Sequence, residues 1–338
     1  MRNILVFGGA GYIGSHTCKQ LRLSGFNPIS FDNLSEGHTD LVQWGDLIIG
    51  DIRSKEDIVA AIQRVAPVAA IHFAAHAYVG ESVVDPSKYY SNNVVGSLNI
   101  IQALQEANNL PVIFSSSCAI YGTPTTPTIS EETPKAPINP YGRSKLMVEQ
   151  ILQDFSAAYD LRSVCLRYFN ASGGDAAGET GEAHRHETHL IPRTILSGLG
   201  RIDDFSVFGD DYDTSDGSAV RDYIHVTDLA DAHVAACKYL LDSGATDHFN
   251  VGTGKGYSVL EIITAVSKHL DREVPFNLGP RRAGDPAALV AEVSKIQKIL
   301  EFQAKFSELD NIISTALPWY KQERDETLRQ KSTEAAAK

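Results

Sequence analysis

The chain opens on a short apolar run, Ile4-Leu5-Val6-Phe7, that stops at a pair of glycines. A run this brief between polar or turn residues reads as a fully buried strand. Apolar positions then recur at helical spacing from about residue 14 to 24, and residues 27–31 form a second strand run ending at Asp32. The alternation repeats. Residues 47–50, 68–73 and 111–115 read as strands, with helical stretches at about 55–65 and 92–107 between them. Proline-rich residues 123–140 read as a surface loop, followed by a helix from about Tyr141 to residue 158 and a strand at 163–167. Strands separated by helices indicate βαβ units and a parallel sheet.

Beyond Tyr168 the pattern loosens. Residues 170–186, rich in Gly, Ala and His, and residues 203–218, rich in Asp and Gly, read as long loops. Such loops in a compact domain tend to be functional. Residues 321–338 are almost wholly polar and read as a frayed tail. The expected architecture is α/β: a doubly wound parallel sheet over residues 1–168, completed by later segments at roughly 220–255, with a smaller C-terminal α/β domain over 169–320.

Charge narrows the classes. With 30 basic and 42 acidic residues the formal charge is −12, which argues against a nucleic-acid partner, since that class needs clustered Lys and Arg. A few local positive groups still suffice for a phosphorylated small molecule. No apolar stretch approaches the roughly 18 residues needed to span a bilayer, and the first apolar run is too short for a signal peptide. Cys18, Cys118, Cys165 and Cys237 form no CxxC pair and no disulfide framework. No membrane partner and a cytoplasmic location are therefore expected.

Gly8, Gly11 and Gly14 stand in the segment GGAGYIG, directly after the first strand and opening a helix. In that setting the three glycines suit a dinucleotide. The first allows the tight turn, the second lets the backbone approach a pyrophosphate, and the third lets helix pack on strand; the helix N-terminus meets the negative charge. Asp32 ends the second strand, where a carboxylate accepts hydrogen bonds from a ribose diol and repels a 2′-phosphate. The cofactor expected is thus NAD rather than NADP. Asp51-Ile52 and Phe73-Ala74-Ala75 end the third and fourth strands and extend the crevice: a carboxylate for the adenine amino group, and small residues for a flat cofactor.

Tyr141 and Lys145 lie four apart at the start of a helix and so share one face. A tyrosine with a pKa of ~10 is a poor base at pH 7. An ammonium beside it, with a positive nicotinamide ring, favours the phenolate and brings it toward the working range. Ser117, in the triplet Ser115-Ser116-Ser117 after the fifth strand, is set to hold a substrate hydroxyl.

Through these residues the sequence resembles the extended short-chain dehydrogenase/reductases, and among them the branch that epimerises UDP-sugars at C4. The matching segments are GGAGYIGSHTC, DNLSEGH, HFAAHAYVGESV, YYSNNVVGS, SSSCAIYG, PINPYGRSK, LRYFNASGGD, ETHLIP, VRDYIHVTDLADAH, NVGTGKGYSV and PRRAGDP, in family order to about residue 290. The resemblance implies that Tyr141, aided by Ser117, takes the proton of the sugar C4 hydroxyl, while Lys145 holds the nicotinamide ribose. It implies NAD contacts at Gly8, Gly11, Tyr12, Ile13, Gly14, Asp32, Asn33, Asp51, Ile52, Phe73, Ala74, Ala75, Asn92, Ser115, Tyr141, Lys145 and Tyr168. It implies UDP-sugar contacts at Ser117, Tyr141, Asn170, Leu190, Val207, Phe208, Arg221, Tyr223, Arg282 and Asp285. The two arginines supply the positive charge for a diphosphate. The implied reaction interconverts UDP-galactose and UDP-glucose, with UDP-xylose/UDP-arabinose or UDP-GlcNAc as alternative substrates, and the implied assembly is a homodimer through the helices at 92–107 and 141–158.

Two positions depart from the pattern. Some relatives carry a lysine after strand four that reaches the cofactor phosphate; here His76-Ala77-Tyr78 stand there. At Leu289 the family places a bulky residue to exclude N-acetylated sugars or a small one to admit them, and leucine is intermediate. Nucleotide-sugar dehydratases resemble this chain but need an acid/base pair after position 117, where Cys118-Ala119 stand. A non-catalytic NAD-binding relative would have lost the Tyr or the Lys. His184, His186 and His189 invite a metal reading, but the irregular loop offers no fixed helical face and the resembling family uses none, so no metal is expected. Cys118 reads as a small buried residue rather than a reactive thiol. Gly252-Thr253-Gly254-Lys255 lacks the spacing of a phosphate-binding loop.

Overall fold

The computed structural model describes residues 1–282 and 285–322. Beyond Gln322 the polar tail read from the sequence lies outside the described residues. The five early strand runs form β1 (Arg2–Phe7), β2 (Phe26–Asp32), β3 (Leu47–Ile49), β4 (Ala69–His72) and β5 (Val112–Ser117). With Ser163–Tyr168 and Asp247–Val251 they make one parallel sheet, in which β1 lies between β2 and β4 and the two later strands extend beyond β5. The strand order reverses at β1 and β4, so the crevice for a ligand opens at their carboxyl ends.

β1 is apolar at successive positions because both faces of the sheet are covered. Ile4 and Val6 pack with Cys18 and Leu21 of helix α1 (Tyr12–Leu23) and with the helix Val226–Leu241. Leu5 and Phe7 face the other way, against Ile58 and Ile62 of α2 (Lys55–Val65), Ile100 and Leu104 of Ser97–Glu106, and Val148 and Leu152 of Pro140–Tyr159. That last helix starts where Asn139 accepts the Gly142 N–H at 2.8 Å, with Pro140 in its first turn.

The helix expected over 92–107 begins with a widened, π-helical stretch at Tyr90–Gly96. Its Asn93 turns inward and bonds the main-chain nitrogen and oxygen of His76, each at 2.9 Å. Wide turns of this kind are frequent beside functional sites.

The second half is less irregular than its composition suggests. Asn170–Ser172 and Ser206–Phe208, in segments read as loops, are strands. The first pairs with Val220–His225, which also pairs with Gly256–Ser258 and Ala288–Ala291, while Thr128–Ile129 from the proline-rich loop pairs with Ala288–Ala291. Strands this short have no periodicity of their own; distant partners hold them. Of the later segments expected to complete the main sheet, Asp247–Val251 joins it, whereas Val220–His225 lies in the second sheet. A separate apolar cluster, including Ile191, Ile195, Ile262, Val266, Ile312 and Leu317, forms the C-terminal core.

Candidate active site

The glycine turn has the shape that a pyrophosphate requires. Gly8 has a positive φ of 83°, and a Cβ there would meet Ala74 N at 2.6 Å. At Gly14 a Cβ would lie 2.1 Å from the Gly8 oxygen, so any side chain would push α1 off β1. At Gly11 the only near atom among the described residues would be the Gly8 oxygen, at 3.5 Å, which leaves the front of the turn open. No side chain caps α1 and its first turn carries no acid, so its N–H groups face that space without a competing anion. The residues present fit a dinucleotide phosphate.

Asp32 ends β2, buried, and accepts Ala10 N at 3.1 Å and Leu34 N at 2.9 Å; burial raises its pKa. Asn33 donates to Asp51 at 3.2 Å. The partner of Asp51 that the sequence reading lacked is Arg53, whose guanidinium holds the carboxylate at 2.6 Å and pushes its pKa down to about 2. Ile52 is buried beside it. Phe73 N and Ala74 N both donate to the Phe7 oxygen, at 2.8 and 3.0 Å, which stitches the end of β4 to the glycine turn, with Ala75 following. Tyr12 donates to the Gly173 oxygen at 2.7 Å, and Ile13 packs against the core beneath.

At the end of β5 the second group of residues converges. The Lys145 nitrogen donates to the Ser115 oxygen at 2.7 Å and lies 5.8 Å from the centre of the Tyr141 ring. Burial pushes the ammonium down to about 7, with the Glu149 carboxylate opposing. The Ser115 hydroxyl bonds the Tyr168 hydroxyl at 2.6 Å, and burial lifts Tyr168 to about 12. Ser117 accepts Ala119 N at 3.2 Å. Asn92 donates to Asn93 at 3.0 Å, and Asn93 in turn reaches the Ser144 hydroxyl at 3.3 Å.

The expected lowering of the Tyr141 pKa is not a property of the chain alone. Burial raises it well above the ordinary value, and the neighbouring Ser117 hydroxyl opposes this only in part. The physical reason is desolvation of a phenolate, which Lys145 does not outweigh. Beneath these groups Glu149 is committed elsewhere: it accepts the Ser116 hydroxyl at 2.5 Å and the Arg167 guanidinium at 2.7 Å, an ion pair with both partners buried.

The C-terminal domain brings its candidates to the same mouth. Tyr223 pairs in register with Asn170, whose amide donates to the Asp222 oxygen at 2.8 Å. Arg221 is bonded directly to Asp285, both among the implied UDP-sugar contacts. Asp285 N donates to the Arg282 oxygen at 3.2 Å. Arg282 stacks over Phe208 at 4.2 Å, with Val207 buried beside it, and Leu190 opens the helix Leu190–Gly198. Leu289 lies in register opposite Arg221. Asp222 is buried and accepts Thr253 N, Gly254 N and Ala291 N. Cys118 is only partly buried, not fully as expected, and desolvation lifts its thiol to about 12, which disfavours the thiolate.

His184 and His189 converge with Glu182 and Glu187, whereas His186 does not join them. Glu182 is buried and was not singled out in the sequence, since a lone glutamate in a Gly- and Ala-rich stretch carries no signal.

A doubly wound sheet with a glycine turn at its central strand and a Tyr–Lys pair at its mouth defines a nicotinamide-dinucleotide-dependent enzyme. Comparison with known proteins gives the family. Residues 4–252 match the NAD dependent epimerase/dehydratase family, and the chain belongs to it. A UDP-glucose 4-epimerase of Rhizobium meliloti is 49% identical over 320 residues, covering 94% of this chain and 97% of the relative. The crystal structure of a UDP-glucose 4-epimerase from Brucella ovis in complex with NAD superposes with a TM-score of 0.92 at 52% identity, covering 94% of this chain and 98% of that one. A third, from Stenotrophomonas maltophila, contains NAD and formylated UDP-arabinopyranose; its TM-score is 0.91 at 37% identity, covering 98% and 99% of the two chains.

Proposed function

We infer that the protein interconverts UDP-galactose and UDP-glucose by inverting C4. The observation that carries the chemistry is the Lys145–Ser115–Tyr141 arrangement at the end of β5. Bound NAD supplies an acceptor that takes a hydride from the sugar and returns it.

The chain's own residues do the rest. Gly8, Gly11 and Gly14 present the open turn to the pyrophosphate, Asp32 the ribose, and Asp51 the adenine edge. Lys145, fixed by the Ser115 oxygen, donates to the nicotinamide ribose and biases the Tyr141 phenol toward losing its proton. Tyr141 exchanges that proton with the C4 hydroxyl, which Ser117 orients. Burial excludes water from this exchange. Arg221, Arg282 and Asn170 grip the diphosphate, Asp285 the uridine ribose, and Tyr223, Leu190, Val207 and Phe208 line the nucleotide. Inversion requires both sugar faces to be accepted in turn, so strong contacts belong to the nucleotide and weak ones to the hexose.

The domains divide accordingly: residues 1–168, with later segments, hold NAD, and 169–320 mainly hold substrate. A homodimer is proposed through the helices at 92–107 and 141–158. Support comes from large apolar side chains left exposed on them, Val95 at 51% and Met147 at 40%. Four free cysteines suit a reducing cytoplasm, and among the described residues no helix is long and apolar enough to cross a membrane.

The test is to incubate the pure protein with UDP-galactose, without added NAD, and resolve the products. UDP-glucose is the expected product. Absence of conversion, even with NAD added, moves the reading to a pentose or N-acetylhexosamine substrate.

A further inference from the structure

A loop that crosses the cofactor turn ends in a cluster of four mixed donors. Glu182, His184, Glu187 and His189 each aim one ligand atom inward, and these atoms all lie within 4.8 Å of one another. The spacing, Glu-x-His-x-x-Glu-x-His, comes from a single loop between the strand Asn170–Ser172 and the helix Leu190–Gly198. We propose that this loop binds a divalent transition metal, of which zinc is the type, through Glu182, His184, Glu187 and His189.

Two imidazoles and two carboxylates suit zinc in a closed, tetrahedral, structural site. Zinc bonds of about 2.0–2.2 Å place ligand atoms about 3.3–3.5 Å apart, so the widest pair needs a contraction of roughly 1.5 Å. Nδ1 of each histidine faces inward, and His184 Nδ1 lies 3.1 Å from Glu182 and 3.6 Å from Glu187.

Among the described residues the His184 Nδ1 atom makes no well-formed hydrogen bond; it faces the Glu182 and Glu187 carboxylates at 3.1 and 3.6 Å, an ion pair when the ring is protonated and a position for a cation when it is neutral. A buried imidazole nitrogen without a hydrogen-bond partner is costly, and a metal bond at that lone pair removes the cost. Glu187 shows the same division: one oxygen accepts His189 N at 2.8 Å, which leaves the other turned toward His184. Glu182 is buried nearly completely, and the positive charge its carboxylate needs comes from His184 and His189 when they are protonated, or from a cation bound between the neutral rings.

The place of the cluster says what a metal would do. The rings of Tyr12 and Tyr78 pack edge-on against His184, at 6.4 and 5.8 Å. The same loop is tied to α1 by Ser15–Thr180 at 2.8 Å and Lys19–Asp175 at 2.6 Å, and His38 donates to the Ala183 oxygen at 2.7 Å. A bound cation would fix the connection between the glycine turn and the helix that starts at Leu190. Its role is to hold the loop, with no part in proton or hydride movement, and it does not depend on which sugar the enzyme takes.

The test uses the full chain, stripped by dialysis against a chelator and titrated with Zn²⁺ by calorimetry and with Co²⁺ by visible absorption. The expected result is one equivalent bound, a tetrahedral Co²⁺ spectrum, and a melting temperature raised by several degrees on adding zinc. His184→Ala and Glu187→Gln each abolish the spectrum while His186→Ala retains it; circular dichroism on all three checks the fold. Absence of stoichiometric binding overturns the proposal. So does binding that survives both His184→Ala and Glu187→Gln.

Discussion

The Lys145 ammonium is held 2.7 Å from the main-chain oxygen of Ser115, the residue whose hydroxyl bonds Tyr168. One contact thus joins the end of β5 to the first turns of the Tyr141 helix. Glu149, one turn further on, is spent on Arg167 and Ser116, so among the described residues no carboxylate neutralises the lysine by direct contact. Replacing Lys145 by Met removes the charge but keeps the apolar stem. Turnover is expected to fall by at least about 10²-fold, with a smaller fraction of chains carrying NAD after purification. Full activity together with full NAD content would remove Lys145 from the mechanism.

Tyr141→Phe separates chemistry from packing. The ring stays in its buried place, so the melting temperature and the NAD content are expected to match the parent protein. Turnover of UDP-galactose is expected to drop by about 10²-fold or more, the scale of a lost general base. An active Phe variant would show that another group moves the C4 proton.

Arg221 and Asp285 are bonded to each other. In the proposed reading Asp285 holds the guanidinium that meets the diphosphate. Arg221→Lys loses the fork and is expected to raise KM about tenfold or more while kcat changes less. The same KM with a lower kcat would assign Arg221 to the chemical step instead.

Much of this site was readable from sequence because its residues sit at strand ends, next to the motifs that build the strands. Gly8 follows β1, Asp32 closes β2, and Ser117 closes β5, all within βαβ units of regular length. The rest depends on contacts far along the chain. Asn170–Ser172 is a strand only because Val220–His225 lies beside it. The Arg221–Asp285 pair spans 64 positions, and Glu182 acquires meaning only where His184 and His189 fold onto it. The Tyr141 pKa illustrates a different limit. The spacing of Tyr141 and Lys145 gives their proximity, whereas the burial that raises the phenol is set by the whole domain.

Acid should destabilise the fold through its buried histidines. Burial lowers His72 to about 3 and His16 and His233 to about 4. Their ordinary value is 6.5, so the unfolded chain binds more protons below it. Stability is present in full above pH 6.5 and is lost as pH falls toward 4, each such histidine steepening the loss by up to about 1.4 kcal/mol per pH unit. Urea midpoints measured between pH 7.5 and pH 4.5 should fall steadily below about 6.5. A flat profile would mean that these histidines are not buried neutral.

The most direct test of the central claim follows the hydrogen at C4. UDP-glucose deuterated at C4 is turned over in ordinary water, and the UDP-galactose formed is analysed by mass spectrometry and proton NMR. If a hydride leaves C4 and returns to it inside the closed site, the product keeps its deuterium at C4 and solvent takes none. Loss of deuterium to water would contradict the account, because inversion would then proceed by proton exchange at C4 rather than by hydride removal and return.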